Sequence, residues 1–160
     1  MASFRVHVTK DYLKFSAGHF IAYPGFREKL HGHNYRVSIS VEGPLGAQGY
    51  VVDFGVVKRI ARRLCNEIDE HVIIPARSDC LVINAEGATV TVRYENDEFR
   101  FPRADVIMLP LVHSSAEELA QYLVGELRRC LADEGIISIT AVEVGVEESF
   151  GQAAYFRQES

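Results

Sequence analysis

Two histidines separated by one residue, His31 and His33, are the clearest sign of chemistry in this chain. Residues two apart on a β-strand leave the same face, so both imidazoles would point the same way. The alternation continues through Tyr35, Val37 and Ile39, which would share that face. The two rings would therefore lie at the edge of an apolar core, where imidazole nitrogens can hold a divalent metal ion.

A third histidine, His19, lies at the end of the preceding apolar segment, and by alternation it shares a face with Phe15 and Ala17. Three histidines and an open fourth position are typical of catalytic zinc. A histidine pair on one strand also arises by chance, however, and spacing alone leaves that alternative open.

Glu148 ends an apolar stripe formed by Val142, Val144 and Val146. A carboxylate beside a core is costly unless a protein group or a ligand pairs with it. The alternative is that the strand has already left the core at this point, so that Glu148 is solvated.

Two further charged segments could move protons. Asp69, Glu70 and His71 combine carboxylates with an imidazole, a pairing suited to general acid–base catalysis, although acidic clusters after helices are often merely solvated. Glu28 lies in a charged loop that leads directly into the histidine strand, from which it could reach a metal-bound substrate.

The pattern of apolar residues predicts the elements that position these groups. It predicts strands over residues 4–16 and 31–42, a turn over 43–49, an antiparallel return over 50–53, and a helix over 54–68 that Asp53 caps. Small inserted hairpins over 80–101 follow, then a helix that ends at Gly135, and strands over 137–148 and 153–157. Either Ser114 with Glu117 or Ser115 with Glu118 fits the start of this second helix.

This order predicts one α+β domain spanning residues 1–160, an antiparallel four-stranded sheet with two helices on one face plus an inserted β-hairpin region. The open sheet edges favour oligomerisation. The formal net charge of −5 argues against a nucleic-acid partner, and no apolar run reaches membrane-spanning length. The first five residues do not begin a signal peptide, and three widely spaced cysteines indicate reduced thiols in a cytoplasmic protein.

With these residues in view, the sequence resembles the 6-pyruvoyl-tetrahydropterin synthase family, which includes the queuosine-pathway 6-carboxytetrahydropterin synthase. The matching segments are residues 15–19 (FSAGH), 30–35 (LHGHNY), 49–54 (GYVVDF), 69–71 (DEH), 115–117 (SAE) and 146–149 (VEES). They follow the family order and cover nearly the whole chain.

The resemblance implies zinc bound by His19, His31 and His33. It also implies the tunnelling fold, in which subunits join sheet edges into a barrel, commonly as a hexamer of two stacked trimers with active sites between subunits. Glu148 resembles the family's pterin anchor, and Ser115 stands where the family usually has a threonine beside the pterin.

The chain departs from the family pattern at two places. Arg27 occupies the position of the family's catalytic cysteine, and the neighbouring Glu28 resembles a variant subgroup, known from malaria parasites and some bacteria, in which glutamate replaces that cysteine. Glu70 occupies the position of the catalytic histidine after Asp69, and His71 matches a second, less important histidine. Either His71 or Glu70 takes over the proton transfer, or the activity is weak or altered.

The resemblance implies a zinc-dependent pterin lyase acting on 7,8-dihydroneopterin triphosphate, forming 6-pyruvoyl-tetrahydropterin, 6-hydroxymethyl-dihydropterin or both. Glu28 would act as general base or acid, helped by Asp69 with Glu70 or His71 of a neighbouring subunit.

Arg27 and Lys29 are expected triphosphate contacts because of their place in the loop. One alternative is a zinc-containing pterin-binding relative without turnover, and another is the queuosine-pathway reaction, which the missing cysteine disfavours.

Overall fold

The structure is a computed structural model that describes residues 3–160. Two predictions include Met1 and Ala2, which lie outside the described residues. They are the absence of a signal peptide and the extent of the domain, 1–160. The strands are β1 Phe4–His19, β2 Ala22–Tyr23, β3 Phe26–Arg27, β4 His31–Gly43, β5 His71–Pro75, β6 Val82–Asn84, β7 Thr89–Tyr94, β8 Asp97–Pro102, β9 Val106–Leu109, β10 Ala141–Ser149 and β11 Gln152–Glu159. The helices are α1 Phe54–Ile68 and α2 Ala116–Asp133.

The main sheet has six strands in the order β11-β10-β4-β1-β5-β9, so the prediction of a four-stranded antiparallel sheet describes four of them correctly and misses β5 and β9, which make the sheet mixed. The first four strands of that order pair antiparallel, whereas β5 runs parallel to both β1 and β9. The chain leaves β4 at Gly43, and α1 returns it to the opposite end of the sheet, where Asp69 contacts Ser16. Because of this crossover, β5 starts beside the end of β1 and runs parallel to it.

The predicted antiparallel return over residues 50–53 is also wrong. This segment is a loop that folds back on itself, with Gly46 N–H donating to the Tyr50 carbonyl at 2.9 Å. Val51 and Val52 are buried because they pack on the core, and this burial explains an apolar pattern that looked like a strand.

Both helices are confirmed. The Asp53 carboxylate accepts a hydrogen bond from Gly55 N–H at 2.6 Å and caps α1. Ser115 Oγ accepts from Glu118 N–H at 3.3 Å, so Ser115 rather than Ser114 caps α2.

Apolar side chains form two cores on opposite faces of the main sheet. α1 and α2 cover the larger core on the face that carries Phe15 and Tyr35. The smaller core lies under the three-stranded sheet β6–β7–β8, here called the flap, and it includes Phe20 and Ile74. The inserted hairpins are therefore confirmed. Neither helix within residues 3–160 has the length and apolar character needed to cross a bilayer.

Candidate metal centre

His19, His31 and His33 converge on the face of the sheet that α1 and α2 cover, together with Glu148, and each offers a ligand atom within 4.8 Å of the others. The β1–β4 register explains the convergence, because His19 is the direct partner of His31 and Ala17 is the partner of His33. We call the three histidines the histidine cluster. Strand alternation and neighbouring register therefore place these side chains together, as the sequence predicted.

Backbone carbonyls orient two of the rings. Nδ1 of His19 lies 2.8 Å from the Ser114 carbonyl oxygen, and Nδ1 of His31 lies 2.7 Å from that of Lys29. Because a carbonyl only accepts, each Nδ1 carries the proton and each Nε2 presents its lone pair to the cluster. Burial lowers the pKa of His19 against the opposing effect of the Ser114 hydrogen bond, which favours the neutral ring that a metal needs.

Within residues 3–160, the buried Nε2 atoms of His19 and His33 make no contact with hydrogen-bond geometry, although Glu148 Oε1 lies near both. Imidazole nitrogens that converge without a hydrogen bond, with a carboxylate beside them, form a donor set that fits Zn²⁺. The residues present therefore suit the metal that the sequence resemblance implied.

Glu148 lies against this cluster and is not simply solvated. Its Oε1 is 2.7 Å from Nε2 of His33 and 3.4 Å from Nε2 of His19. An irregularity in the β10–β11 register between Glu147 and Ser149 falls at this residue. The carboxylate is therefore available to the metal site or to a ligand bound there.

Tyr35 lies beside the same cluster, and Glu28 is close enough for its charge to act on the Tyr35 phenol. The Tyr35 ring is fully buried at 5.5 Å from the His33 ring centroid, and its hydroxyl has no partner within residues 3–160. Burial, together with the charges of Glu148 and Glu28, raises the pKa of Tyr35, which keeps the phenol neutral. The Glu28 carboxylate accepts from Ile21 N–H at 2.9 Å, and this contact fixes its orientation.

Asp69, Glu70 and His71 do not join the histidine cluster within one chain. Asp69 Oδ1 accepts from Ser16 N–H at 2.7 Å, and Nδ1 of His71 lies 2.7 Å from the Asp69 carbonyl oxygen. Ala17 on β1 pairs with His33 on one side and with His71 on the other. His33 and His71 are therefore separated by two strand spacings, about 10 Å.

Glu70 has a left-handed backbone with φ of 61°, a conformation that costs a non-glycine residue about 1–2 kcal/mol. Its N–H donates to the Ser16 carbonyl at 2.7 Å, and this bond helps to hold it there. Glu70, His71 and Asp105 line one open cavity of about 450 Å³, which reaches across the sheet to His33. Strained residues of this kind cluster at functional sites.

The remaining predicted binding residues lie in different settings. Arg27 donates to Asp97 of the flap at 2.7 Å, so its guanidinium is already paired. Ser115 caps α2, and Lys29 is exposed while its carbonyl holds His31.

Sequence reasoning missed Ser114. It is fully buried, and its hydroxyl donates to the Phe20 carbonyl at 3.2 Å while its own carbonyl accepts from His19. The loop before it is fixed by the Glu118 carboxylate, which accepts from Val112 N–H and His113 N–H. The only sequence signal at Ser114 was the unresolved choice of helix cap.

Replacing Ser114 by alanine is expected to lower the free energy of unfolding by about 1–3 kcal/mol, because the buried Phe20 carbonyl loses its donor. Zinc affinity is expected to fall about tenfold as the support of His19 loosens. Urea unfolding and zinc competition with a chromophoric chelator measure the two effects. The exposed Ser138→Ala variant is the control, and equal values for both variants would contradict this role.

The comparisons with known proteins agree with this geometry. The family described as 6-pyruvoyl tetrahydropterin synthase matches residues 7–159. A Methanocaldococcus jannaschii protein with the provisional name 6-carboxy-5,6,7,8-tetrahydropterin synthase is 33% identical over 147 residues, which cover 91% of this chain and 90% of the relative.

Solved structures from malaria parasites are also similar over their whole length. A Plasmodium falciparum 6-pyruvoyl tetrahydropterin synthase is 38% identical with a TM-score of 0.93, and each chain covers 100% of the other. A Plasmodium vivax 6-pyruvoyltetrahydropterin synthase in which a catalytic glutamate is replaced by alanine is 35% identical, with the same TM-score of 0.93 and coverage of 100% on both sides.

Proposed function

Because the chain belongs to the 6-pyruvoyl tetrahydropterin synthase family, we propose that it is a zinc-dependent pterin lyase acting on 7,8-dihydroneopterin triphosphate. The products are 6-pyruvoyl-tetrahydropterin, 6-hydroxymethyl-dihydropterin or both. The observation that carries this proposal is the Glu28 carboxylate, which Ile21 N–H orients on the loop whose Lys29 carbonyl holds His31, and whose charge acts on Tyr35. The Plasmodium vivax relative with a catalytic glutamate supports it.

The three histidines would hold the metal, and zinc bound there supplies the Lewis acidity that makes substrate hydroxyl protons easier to remove. Glu28 accepts the proton from the substrate side chain and returns it at the end of the reaction. Loss of the triphosphate group gives the pyruvoyl compound. Cleavage between the first two side-chain carbons instead gives the hydroxymethyl compound, after the first carbon takes up a proton and the other two leave as a two-carbon aldehyde that carries the triphosphate. The position at which Glu28 takes and returns protons decides between them.

Glu148 anchors the pterin in this proposal, since a carboxylate can accept charge-assisted hydrogen bonds from the ring N–H and the amino group. Its place against the histidine cluster would put the pterin side chain near the metal. Ser115 caps α2 and directly follows Ser114, whose carbonyl holds His19, so it would lie near the bound pterin.

The Glu148→Gln variant is expected to bind 7,8-dihydroneopterin about 10- to 100-fold more weakly, because charge-assisted hydrogen bonds contribute about 1.5–3 kcal/mol. Its zinc content should not change. Fluorescence titration and metal analysis measure the two properties, with Glu147→Gln on the neighbouring strand position as the control. If Glu148→Gln lost zinc instead, Glu148 would be a fourth metal ligand and not a pterin anchor.

We also propose that active sites form between subunits. The separation of about two strands between His71 and His33 leaves Asp69, Glu70 and His71 outside the histidine cluster of their own chain. The edge strand β11 offers unpaired backbone groups to a neighbour. A hexamer of two trimers accounts for both features, and we propose that it is cytoplasmic. Sedimentation equilibrium measures the mass of the assembly.

Product analysis by mass spectrometry tests the proposed function. Incubation of 7,8-dihydroneopterin triphosphate with the zinc-loaded protein should give one or both of the proposed pterins. The archaeal relative's name favours a second candidate, the 6-carboxytetrahydropterin synthase reaction, whose product has a different mass. Failure to form either proposed pterin would refute the lyase assignment.

A further inference from the structure

The flap contacts the loop that carries Glu28 through Arg27. Nε and Nη2 of Arg27 both donate to Asp97 Oδ2, at 3.1 and 2.7 Å. Nη1 of Arg27 donates to the Glu28 carbonyl at 2.8 Å. All three guanidinium nitrogens of Arg27 are therefore engaged, and they join the flap to the residue proposed as the acid–base group.

Aromatic rings fix the same guanidinium from the side. Its Cζ lies 5.0 Å from the ring centroid of Phe99 on the flap and 5.8 Å from that of Phe20, which directly follows β1. The two rings stack on each other at 4.7 Å. Asp97 is 55% exposed and Arg27 is 20% exposed, so the ion pair alone contributes little, and its paired hydrogen bonds and the two rings supply the rigidity.

A second contact makes the connection between the flap and this loop more extensive. The Tyr94 hydroxyl of the flap donates to the Tyr23 carbonyl at 3.0 Å, in the β2–β3 hairpin that leads to Glu28. Glu28 in turn exchanges two hydrogen bonds with Ile21, one through its backbone N–H and one through its carboxylate, both at 2.9 Å. The orientation of the carboxylate thus depends on a hairpin that the flap holds in place.

We propose that Arg27 and Asp97 are positioning residues for Glu28. Asp97 holds Arg27, and Arg27 holds the Glu28 carbonyl, so that the carboxylate keeps the orientation in which it accepts from Ile21 N–H. This inference rests on the proposed function, in which Glu28 moves the proton. It replaces the sequence-based expectation that Arg27 binds the triphosphate, because the donors needed for a phosphate already have partners in Asp97 and the Glu28 carbonyl.

The test compares Arg27→Gln, Asp97→Asn and the double variant in the full-length, zinc-loaded protein. Each is expected to lower kcat about 10- to 100-fold with a change in KM of less than about twofold, since small displacements of a reacting group are costly. The double variant should lose no more than either single variant, because both remove the same connection. Arg100→Gln is the matched control, because Arg100 pairs with Glu98 on the same strand of the flap and does not touch Glu28.

Several results would overturn the proposal. A triphosphate ligand at Arg27 would raise the KM for the triphosphate substrate in Arg27→Gln alone and leave the Kd of 7,8-dihydroneopterin unchanged. Equal losses in Arg100→Gln would indicate a general effect of the flap on stability. Unchanged kcat in Arg27→Gln and Asp97→Asn would exclude positioning.

Hydrogen exchange at the Ile21 amide separates this proposal from the proposed function. That N–H bonds directly to the Glu28 carboxylate, so its exchange rate reports the carboxylate's orientation without any turnover. Faster exchange in Arg27→Gln and Asp97→Asn, but not in Arg100→Gln, is expected even if the wild-type protein forms neither pterin. Equal exchange in all of these proteins would contradict the positioning role, whatever the activity.

Discussion

The His33→Ala variant is expected to lose its bound zinc and at least about a hundredfold of its turnover. His33 supplies one of three convergent Nε2 atoms. Catalytic zinc sites use three protein ligands, so the two remaining histidines would bind zinc too weakly to retain it. A metal that stabilises developing charge by several kcal/mol corresponds to factors of about 10²–10⁴ in rate. His33 suits the test because its side chain is 21% exposed, whereas His19 is part of the core.

Metal analysis and the thermal midpoint with and without added zinc measure the loss of binding. Zinc should raise the midpoint of the wild-type protein, because a ligand that binds only the folded state stabilises it, and it should not raise that of His33→Ala. His7→Ala is the control, since His7 lies on the same strand pair as His19 but bonds to Ser40, at 2.9 Å, away from the cluster. Full zinc content in His33→Ala would show that the histidine cluster is not the metal site.

The histidine cluster could be predicted from sequence because its geometry follows from simple rules. Alternation fixed the face of His31 and His33, and the chain order of two neighbouring strands placed His19 opposite them. The same rules placed Glu148 at the end of the apolar stripe of β10. Local patterns sufficed wherever a side chain's position depended on strand parity and on nearest-neighbour pairing.

Features that depend on distant parts of the chain could not be predicted in this way. β5 and β9 have only five and four residues, and their parallel pairing follows from a crossover that no local pattern specifies. Ser114 holds His19 across a separation of 95 residues, and Asp97 holds Arg27 across 70. The charged loop predicted a substrate contact at Arg27, and nothing in its sequence indicated that this guanidinium pairs with Asp97 of the flap.

The backbone at Glu70 is a further case in which local pattern was insufficient. The sequence showed an acidic residue where the family has a catalytic histidine, but it gave no sign of the positive φ of 61°. The hydrogen bond from Glu70 N–H to the Ser16 carbonyl, which helps to hold this conformation, is visible only in the tertiary structure. The departure from the family pattern thus coincides with local strain, which makes the proton-transfer groups the least predictable part of the site.

The Glu28→Ala variant tests the central step of the proposed function. It is expected to lower kcat by about 10²–10⁴-fold, the usual contribution of a positioned general acid or base. Zinc content and the affinity for 7,8-dihydroneopterin should not change, because Glu28 belongs neither to the metal cluster nor to the proposed pterin anchor. Single-turnover measurements with 7,8-dihydroneopterin triphosphate separate the chemical step from product release.

A matched variant, Glu67→Ala, removes a carboxylate that is 51% exposed on α1, and it should retain wild-type turnover. Glu28→Gln adds a sharper comparison, because the amide keeps an oxygen that can accept from Ile21 N–H but cannot take up the substrate proton. Its kcat should therefore fall as far as that of Glu28→Ala while the Ile21 amide stays protected from exchange. Near wild-type turnover in Glu28→Gln would assign the proton transfer to another group, with Glu70 and His71 as the next residues to replace.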